Sequence, residues 1–354
     1  MNGDQPAPLR SGWTTGACAT AAAKAAFTAL LTGTLPGSVQ ITLPRGQTPV
    51  FAITDRGRDG ESVSAGVVKD AGDDPDVTHQ ALIVATVRRL PEGAGVRFRA
   101  GAGVGTVTKP GLPIPPGEPA INPVPRDMMR AMIFQVATDH GVAGDVEITL
   151  SVPGGEKLAE RTWNGRLGIV GGLSILGTTG IVKPFSCSAW IASIHRGVDV
   201  AVANGFDHVA AATGSTSEAA VRLKYGLPET HVLDMGDFIG GTLKYLRSHP
   251  VPRLTIAGGF AKLTKFAQGA NDLHSGRSQI DMAALAVLSG APDLLGDAHT
   301  AKHALEIARQ NDIDLAGRIA RLGQARAAEM LAGTGTAVSL MITDRQGSIV
   351  AEAG

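Results

Sequence analysis

The chain has 354 residues, of which 44% are hydrophobic, and it carries 32 basic and 32 acidic side chains. This length exceeds what one ordinary hydrophobic core uses, so we expect two domains. Balanced charge provides no field that would hold nucleic acid or an anionic membrane, and an aromatic content of 4% leaves few rings to stack on bases. We therefore expect neither nucleic acid nor a membrane as a partner.

The two cysteines, Cys18 and Cys187, are far apart and lie beside small residues. This spacing favours neither a zinc site nor a disulfide framework, so we expect no metal site and a reducing, cytoplasmic environment. The alanine-rich run 17–31 contains Lys24 and is too short to span a membrane. We interpret it as a helix that a preceding threonine caps and Gly33 ends.

Residues 1–165 are predicted to form an α+β domain. Strands are expected where apolar and polar residues alternate, and helices where apolar residues recur with helical spacing. The predicted strands are 39–43, 50–54, 62–68, 96–100 and a hairpin of 146–152 with 157–163, and the predicted helices are 79–90 and 125–140. The acidic loop 70–76 lacks the glycine and distal glutamate of a calcium loop, which favours a helix-capping turn over a metal site.

Residues 166–335 alternate between strands and helices. Strands are expected at 168–170, 208–212, 231–235 and 253–257. Repeated β-α units predict a doubly wound, mostly parallel, Rossmann-like sheet whose ligand crevice lies at the carboxyl ends of the strands. The segment 336–354 is expected to form a hairpin that returns to the first domain's sheet, because an isolated hairpin is only marginally stable.

The strand-end rule selects seven candidate cofactor-binding residues. They are Thr213, Gly214, Ser215, Thr216, Asp234, Gly258 and Gly259. Asp234 follows Gly214 at about the twenty-residue interval at which nucleotide-binding units place an acidic residue on a ribose, although it could instead cap the next turn. Ser215 and Glu218 also have the spacing of a capping box.

The stretch 254–279 has the highest density of polar chemistry. It predicts a strand, a turn at two glycines, and a helix with two lysines on one face, followed by a polar loop. The polar residues of interest are Lys262, Lys265, Asp272, His274, Ser275 and Arg277. Free amides at the start of the helix would face an anionic or polar ligand. A structural interpretation stays open, because paired glycines can serve packing and helix lysines are usually solvated.

Four blocks of the chain resemble the cobalt-precorrin-5B C(1)-methyltransferase family, also called CbiD. They are GWTTGACATAAAKAA at 12–26, GGLSILGTTGIVKPFS at 171–186, AATGSTSE at 211–218 and GGFAKLTKFAQGANDLHS at 258–275. The last block is similar to a family pattern of glycines, two lysines and an acidic-x-His-Ser group. It departs from that pattern at Ala270 and Asn271, where bulkier or more basic residues are expected.

The resemblance implies S-adenosylmethionine as methyl donor, cobalt-precorrin-5B as acceptor and cobalt-precorrin-6A as product, in anaerobic cobalamin biosynthesis. Cobalt would arrive inside the substrate. We expect His274 or Asp272 to balance charge or protons. For His274 the alternatives are hydrogen bonding to a ligand and a purely structural role. Candidate residues for the acceptor and its carboxylates are Thr14, Thr15, Lys262, Lys265, Ser275 and Arg277. For Thr14 and Thr15 the alternative is capping of the first helix.

Two other functions are compatible with the same sequence features. An NAD(P)-dependent tetrapyrrole reductase would use the same doubly wound domain, and a non-catalytic corrinoid-binding protein would bind the macrocycle without forming product. A homo-oligomer is also compatible with the sequence.

Overall fold

The computed structural model describes residues 9–354, apart from the side chains of residues 55 and 56. The chain divides into two compact units between Ser186 and Cys187. The predicted boundary near residue 165 is wrong, because Ile169–Val170 and Ile181–Val182 pair with strands of the first unit. Within the described residues, the helices are too short or too polar to cross a membrane.

The first unit contains mainly short strands and two long helices. In chain order its elements are β1 (Gly12–Trp13), α1 (Thr15–Thr32), β2 (Ser38–Gln40), β3 (Val50–Ala52), β4 (Asp55–Asp59), β5 (Ser62–Val68), β6 (Leu82–Arg89), β7 (Val96–Ala100), β8 (Thr106–Val107), α2 (Pro123–Asp139), β9 (Val146–Ser151), α3 (Gly155–Ala159), β10 (Ile169–Val170) and β11 (Ile181–Val182). The main sheet has the strand order β4-β5-β6-β9-β7, antiparallel except for the parallel pair β7 and β9. The mixed α/β class is therefore confirmed.

Helix α1 lies at the centre of the first unit, where it contacts β5, β6 and α2. Ala17, Ala21 and Ala25 are fully buried along it. Alanine is the best helix former, and its small side chain lets neighbouring elements approach closely. Thr14 caps the helix, because its hydroxyl accepts a hydrogen bond from the Ala17 amide at 3.2 Å, and Gly33 ends it with φ 76°.

Two local predictions in the first unit are wrong. The predicted helix 79–90 is strand β6, which pairs with β5 on one side and with β9 on the other. Its apolar run is short and rich in β-branched residues, so pairing with two strands outweighs its weak helical pattern. The predicted second strand of the hairpin, 157–163, is replaced by the short helix α3 (Gly155–Ala159).

The second unit alternates helices and strands as predicted between residues 187 and 259. Its elements are α4 (Cys187–Ala203), β12 (His208–Ala212), α5 (Ser215–Tyr225), a 3₁₀ turn (Glu229–His231), β13 (Val232–Asp234), α6 (Ile239–Ser248), β14 (Arg253–Gly259), α7 (Phe260–Ala267), α8 (Met282–Leu288), α9 (Pro292–Leu295), α10 (Ala301–Gln310), α11 (Leu315–Met330), β15 (Ala337–Thr343) and β16 (Ile349–Ala353).

The sheet of the second unit has the strand order β13-β12-β14-β15-β16. The first four strands are parallel and β16 is antiparallel. The predicted return of the C-terminal hairpin to the first domain is wrong, because β15 pairs with β14 over its whole length. The hairpin does pair with a larger sheet, as an isolated hairpin would be only marginally stable. That sheet belongs to the second unit, where Met341 and Ile342 of β15 are fully buried.

Helices cover both faces of this sheet. On one face, Ala212, Ala257 and Met341 form a buried cluster with Ala220 and Val221 of α5. On the other face, Leu233 packs so close to α4 that a side-chain carbon on Gly197 would lie 2.7 Å from it. Leu340 approaches Gly323 of α11 in the same way, at 2.8 Å.

A chain of side-chain hydrogen bonds crosses the same sheet. The Nε2 atom of buried His208 lies 2.8 Å from Thr255 Oγ1, which lies 2.8 Å from Ser339 Oγ. Burial lowers the pKa of His208 below its ordinary value of 6.5, and the positive charge of Arg253 lowers it further.

We expect the variant Ala21→Leu to lower the free energy of unfolding by about 1–3 kcal/mol, because a larger side chain has no space in a close-packed interior. Thr28→Leu, at a partly exposed position of the same helix, is the matched control. Urea unfolding followed by circular dichroism measures both. Equal stability of the two variants would contradict the central packing role of α1.

We expect His208→Gln to make stability less sensitive to acid. Because folding lowers the pKa of His208, its stabilising contribution is present above the ordinary value of 6.5 and is lost as pH falls through the folded value. When the pH is lowered from about 7.5 to about 5, the urea midpoint of unfolding should therefore fall further in the wild type than in the variant. Burial also lowers the pKa of His195. Because His195 is present in both proteins, its contribution to the pH dependence is the same in both and does not affect the comparison.

Candidate active site

Three strands bring their following loops to the same edge of the second unit's sheet. The Met235 amide donates to the Ala212 carbonyl at 3.0 Å, and the Thr213 amide donates to the Ala257 carbonyl at 2.9 Å. The end of β12 therefore lies between the ends of β13 and β14. The loops that follow these three strands begin side by side, as the strand-end rule predicts.

Lys262, in the first turn of α7, links these loops. Its Nζ atom donates to the Thr213 carbonyl at 3.0 Å and lies 3.0 Å from Oδ1 of Asp237, in the loop after β13. That oxygen is buried and receives no well-aligned hydrogen bond from the described chain, so the charge of Lys262 is its main compensation. The lysine side chain is still 38% exposed, which leaves part of it accessible to a ligand.

Sequence reasoning missed Asp237. The available signal was its position in the Met235-Gly236-Asp237 turn directly after a predicted strand, at the edge where ligands bind in such sheets.

Gly214 and Gly259 leave open space at this edge. A side-chain carbon at either position would meet no other part of the protein within 4 Å, apart from the adjoining residues of the chain. Neither backbone requires glycine, since Gly214 is extended (φ 166°, ψ 168°) and Gly259 has ordinary values (φ −70°, ψ 151°). Glycine at such positions permits close approach of a bound molecule to the backbone.

These two glycines occupy the N-cap positions of α5 and α7, and neither helix has a side-chain cap among the described residues. The predicted capping box is wrong, because Ser215 lies inside the first turn of α5. First-turn amides without a cap carry a partial positive charge and suit an anionic group. Ser215 and Thr216 are exposed at the same turn.

The Thr213 side chain packs closely against the backbone of Gly258. A side-chain carbon on Gly258 would lie 2.8 Å from Thr213 Oγ1, so glycine is needed there for packing. Asp234 is half-buried at the end of β13, directly beside Ala212 in the register, and its backbone carbonyl accepts a hydrogen bond from Trp190 Nε1 at 3.1 Å. Both residues thus lie at the predicted edge.

The loop after α7 is tied to the same edge through its backbone. The Leu273 amide donates to the Asp237 carbonyl at 2.9 Å. Lys265 donates to the Leu273 carbonyl at 3.0 Å, and the lysine is only 8% exposed. The two lysines predicted to share one helix face therefore differ in burial. Lys265 holds the loop from inside, and only Lys262 remains accessible.

Asp272 organises the turn that carries His274. Its Oδ2 and Oδ1 atoms accept hydrogen bonds from Arg277 at 2.5 and 3.2 Å, and Oδ1 also accepts one from the His274 amide at 2.9 Å. Burial raises the pKa of Asp272, but the hydrogen bonds from Arg277 and His274 outweigh burial and hold the pKa below its ordinary range. Asp272 is consequently suited to anchoring the turn, not to accepting a proton.

His274 is exposed, and its ring orientation constrains its chemistry. Its Nδ1 atom accepts a hydrogen bond from the Gly276 amide at 3.1 Å. In the neutral ring the proton then resides on Nε2, so the exposed side of the ring is a hydrogen-bond donor. Ser275 and Arg277 are exposed beside it.

Comparison with known proteins assigns this chain to a family. The family model described as "CbiD" matches residues 2–184, and the model "CbiD, C-terminal domain" matches residues 272–354. The chain belongs to the CbiD family. A relative from Brucella anthropi named cobalt-precorrin-5B C(1)-methyltransferase is 58% identical over 98% of this chain and 96% of its own length. A relative of the same name from Brucella canis is 57% identical with the same coverage.

A crystal structure described as the cobalamin biosynthesis protein (cbiD) from Archaeoglobus fulgidus is similar to this CbiD-family chain at 24% identity, with a TM-score of 0.41. The match covers 86% of this chain and 85% of the Archaeoglobus fulgidus chain.

The remaining candidates in this CbiD-family chain, Thr14 and Thr15, belong to the first unit. Both are buried. The capping alternative is confirmed for Thr14. The Thr15 hydroxyl donates to the Leu176 carbonyl and accepts from the Leu176 amide, both at 3.1 Å. Both hydroxyls are therefore engaged in contacts that fix the start of α1.

Between residues 9 and 354, no group of histidine, cysteine and acidic side chains has the arrangement of a metal site. Cys18 is buried, and burial raises the pKa of its thiol to about 12, which makes it a poor nucleophile.

We expect Lys262→Met to lower the free energy of unfolding by about 1–2 kcal/mol, because it leaves the Asp237 carboxylate partly buried without a counter-charge. Asp237→Asn should cancel part of this loss in the double variant, with a coupling energy of at least about 0.5 kcal/mol. Lys302→Met is the control, since its exposed ion pair with Glu306 should contribute less than about 0.5 kcal/mol. Strict additivity in urea unfolding would contradict the pairing.

Proposed function

We propose that this CbiD-family protein is a methyltransferase that transfers a methyl group from S-adenosylmethionine to carbon 1 of cobalt-precorrin-5B, giving cobalt-precorrin-6A in cobalamin biosynthesis. The name shared by relatives that match nearly the whole chain supports the reaction and its acceptor. The observation that carries the location of the donor is the pair of open glycines, Gly214 and Gly259, at two uncapped helix starts on one sheet edge.

The donor is proposed to lie across the loops after β12 and β14, in a Rossmann-like crevice. The loop after β12 contains Gly214, and the neighbouring strand β13 ends in Asp234. This arrangement suits a nucleoside whose ribose hydroxyls bond to the acidic residue. The methionine carboxylate of the donor would accept hydrogen bonds from the first-turn amides of α5 or α7.

The acceptor is proposed to face the side of this edge formed by α7 and the loop after it. Its carboxylates require cations and hydrogen-bond donors, which Lys262, the Nε2–H group of His274 and the Ser275 hydroxyl provide. Arg277 contributes mainly through its pair with Asp272. Thr14, Thr15 and Lys265 are left out of this proposal, because their polar groups are buried in contacts within the protein.

When bound, the donor supplies an electrophilic methyl group on a positively charged sulfur atom. The protein's task is to align this group with carbon 1 in line and to exclude water. Asp237 and Lys262 fix the spacing of the loops, and His274 offers the acceptor a hydrogen bond from its exposed ring edge. The two free cysteines, Cys18 and Cys187, support a reducing, cytoplasmic setting for the reaction.

We expect Gly214→Val and Gly259→Val to fold normally and to weaken binding of S-adenosylhomocysteine by more than about tenfold, or roughly 1.4 kcal/mol. The added side chains would occupy the space reserved for the donor. Gly37→Val is the matched control, because Gly37 is also open and also lies outside the left-handed region. Isothermal titration calorimetry measures the affinities, and unchanged affinity in both variants would remove the donor from this edge.

Turnover tests the proposal as a whole. Purified protein, labelled S-adenosylmethionine and cobalt-precorrin-5B should give a product heavier by one labelled methyl group in mass spectrometry. Tight binding of NADPH without binding of S-adenosylhomocysteine would indicate a reductase. Binding of the corrinoid without any methylated product would indicate a non-catalytic corrinoid-binding protein.

A further inference from the structure

Arg326 of α11 caps the C-terminal end of α7. Its Nη1 atom donates to the Phe266 carbonyl, and its Nη2 atom donates to the Gly269 carbonyl at 2.6 Å. The guanidinium carbon also lies 4.8 Å from the centre of the Phe266 ring. The last carbonyls of a helix lack partners within the helix and carry a partial negative charge, so a cation at this end is favourable.

The same guanidinium extends to the loop beyond the helix. Nη2 donates to Asn271 Oδ1 at 2.8 Å, and Nη1 lies 3.5 Å from the Ala270 carbonyl. All of these acceptors are neutral carbonyl oxygens. Burial lowers the pKa of Arg326 below its ordinary value, although arginine remains charged at physiological pH. One planar group with several donors thus fixes the segment 266–271 in a single arrangement.

The fixed segment leads directly to the turn that carries His274. The Asn271 carbonyl accepts a hydrogen bond from the Gly240 amide of α6 at 2.9 Å, and a side-chain carbon on Gly240 would lie 2.6 Å from Asn271 Cβ. Two residues later, Leu273 bonds to the loop after β13. Asn271 therefore lies between a cation on one side and a tightly packed helix start on the other.

This contact accounts for the departure from the family pattern at Asn271. A basic residue there would place a second positive charge beside the Arg326 guanidinium, which now donates to Asn271 Oδ1. The amide of Asn271 is small, neutral and able to accept a hydrogen bond from the guanidinium.

We infer that Arg326 is a positioning residue for the acceptor: its guanidinium holds Asn271 and thereby sets the Asp272–His274 turn that faces the corrinoid. Arg326 acts through this turn and not through contact with the substrate. The inference deepens the proposed function, on which it rests for the identity of the ligand. A residue that served stability alone would change the melting temperature without changing the order of the turn or the affinity for the acceptor.

The decisive variant is Arg326→Gln in the full chain. Hydrogen exchange measured by mass spectrometry should be faster in peptides that cover residues 268–277, and unchanged in peptides of α5. At a temperature well below unfolding, KM for cobalt-precorrin-5B should rise by at least about tenfold, while affinity for S-adenosylhomocysteine stays within about twofold of the wild type. Unchanged exchange in 268–277, or an unchanged KM, overturns the inference.

Three further variants test the role of the guanidinium, replace Arg326→Gln if it does not fold, and serve as a control. Arg326→Lys retains the charge but loses the planar set of donors, so it should resemble Arg326→Gln, and wild-type behaviour would overturn the inference. Asn271→Ala removes one acceptor from an exposed position and should reproduce the faster exchange if Arg326→Gln fails to fold. Arg321→Gln, on the same helix with an exposed partner in Asp314, should leave exchange and KM unchanged.

A failure of the proposed methyltransferase function can be distinguished from a failure of the inference about Arg326. In that case the wild-type protein itself would give no methylated product, whereas the exchange comparison between Arg326→Gln and Arg321→Gln needs no substrate. Loss of the difference in exchange would refute the positioning of the turn whatever the ligand is.

Discussion

The carboxyl edge of the second unit's sheet depends on one partly buried cation. Lys262 reaches from α7 to the Thr213 carbonyl and to the Asp237 carboxylate, and so joins the loops after β12 and β13 to the helix after β14. Lys265, Arg326 and Asp272 then extend this order to the next loop. A methyl transfer needs such fixed spacing, since small errors in the alignment of donor and acceptor reduce the rate strongly.

The β-α units of the second unit were readable from sequence because each strand is a short apolar run that ends at a glycine-rich or polar turn. The segment 208–212 coincides with β12. Pairing partners were not readable, because they depend on contacts between distant residues. The interpretation of 79–90 as a helix failed for this reason, and so did the assignment of the C-terminal hairpin to the first domain.

The predicted site was partly recoverable. The rule for strand ends selected Thr213, Gly214 and Asp234 correctly as residues of one edge, since it requires only the order of strands. Sequence reasoning could not distinguish Lys262 from Lys265, because both lie on the same short helix. In the structure Lys262 is partly exposed and Lys265 is buried. Asp237 and Arg326 were missed because their importance arises only from distances between elements.

The position of β15 has a kinetic consequence. It lies next to β14 in the sheet, yet the paired residues Thr255 and Ser339 are 84 residues apart in the chain, with five helices between them. Closing so long a loop carries an entropy cost before any strand contact compensates for it. The intervening helices form from local contacts, so completion of the sheet should be a late and slow event as this unit folds.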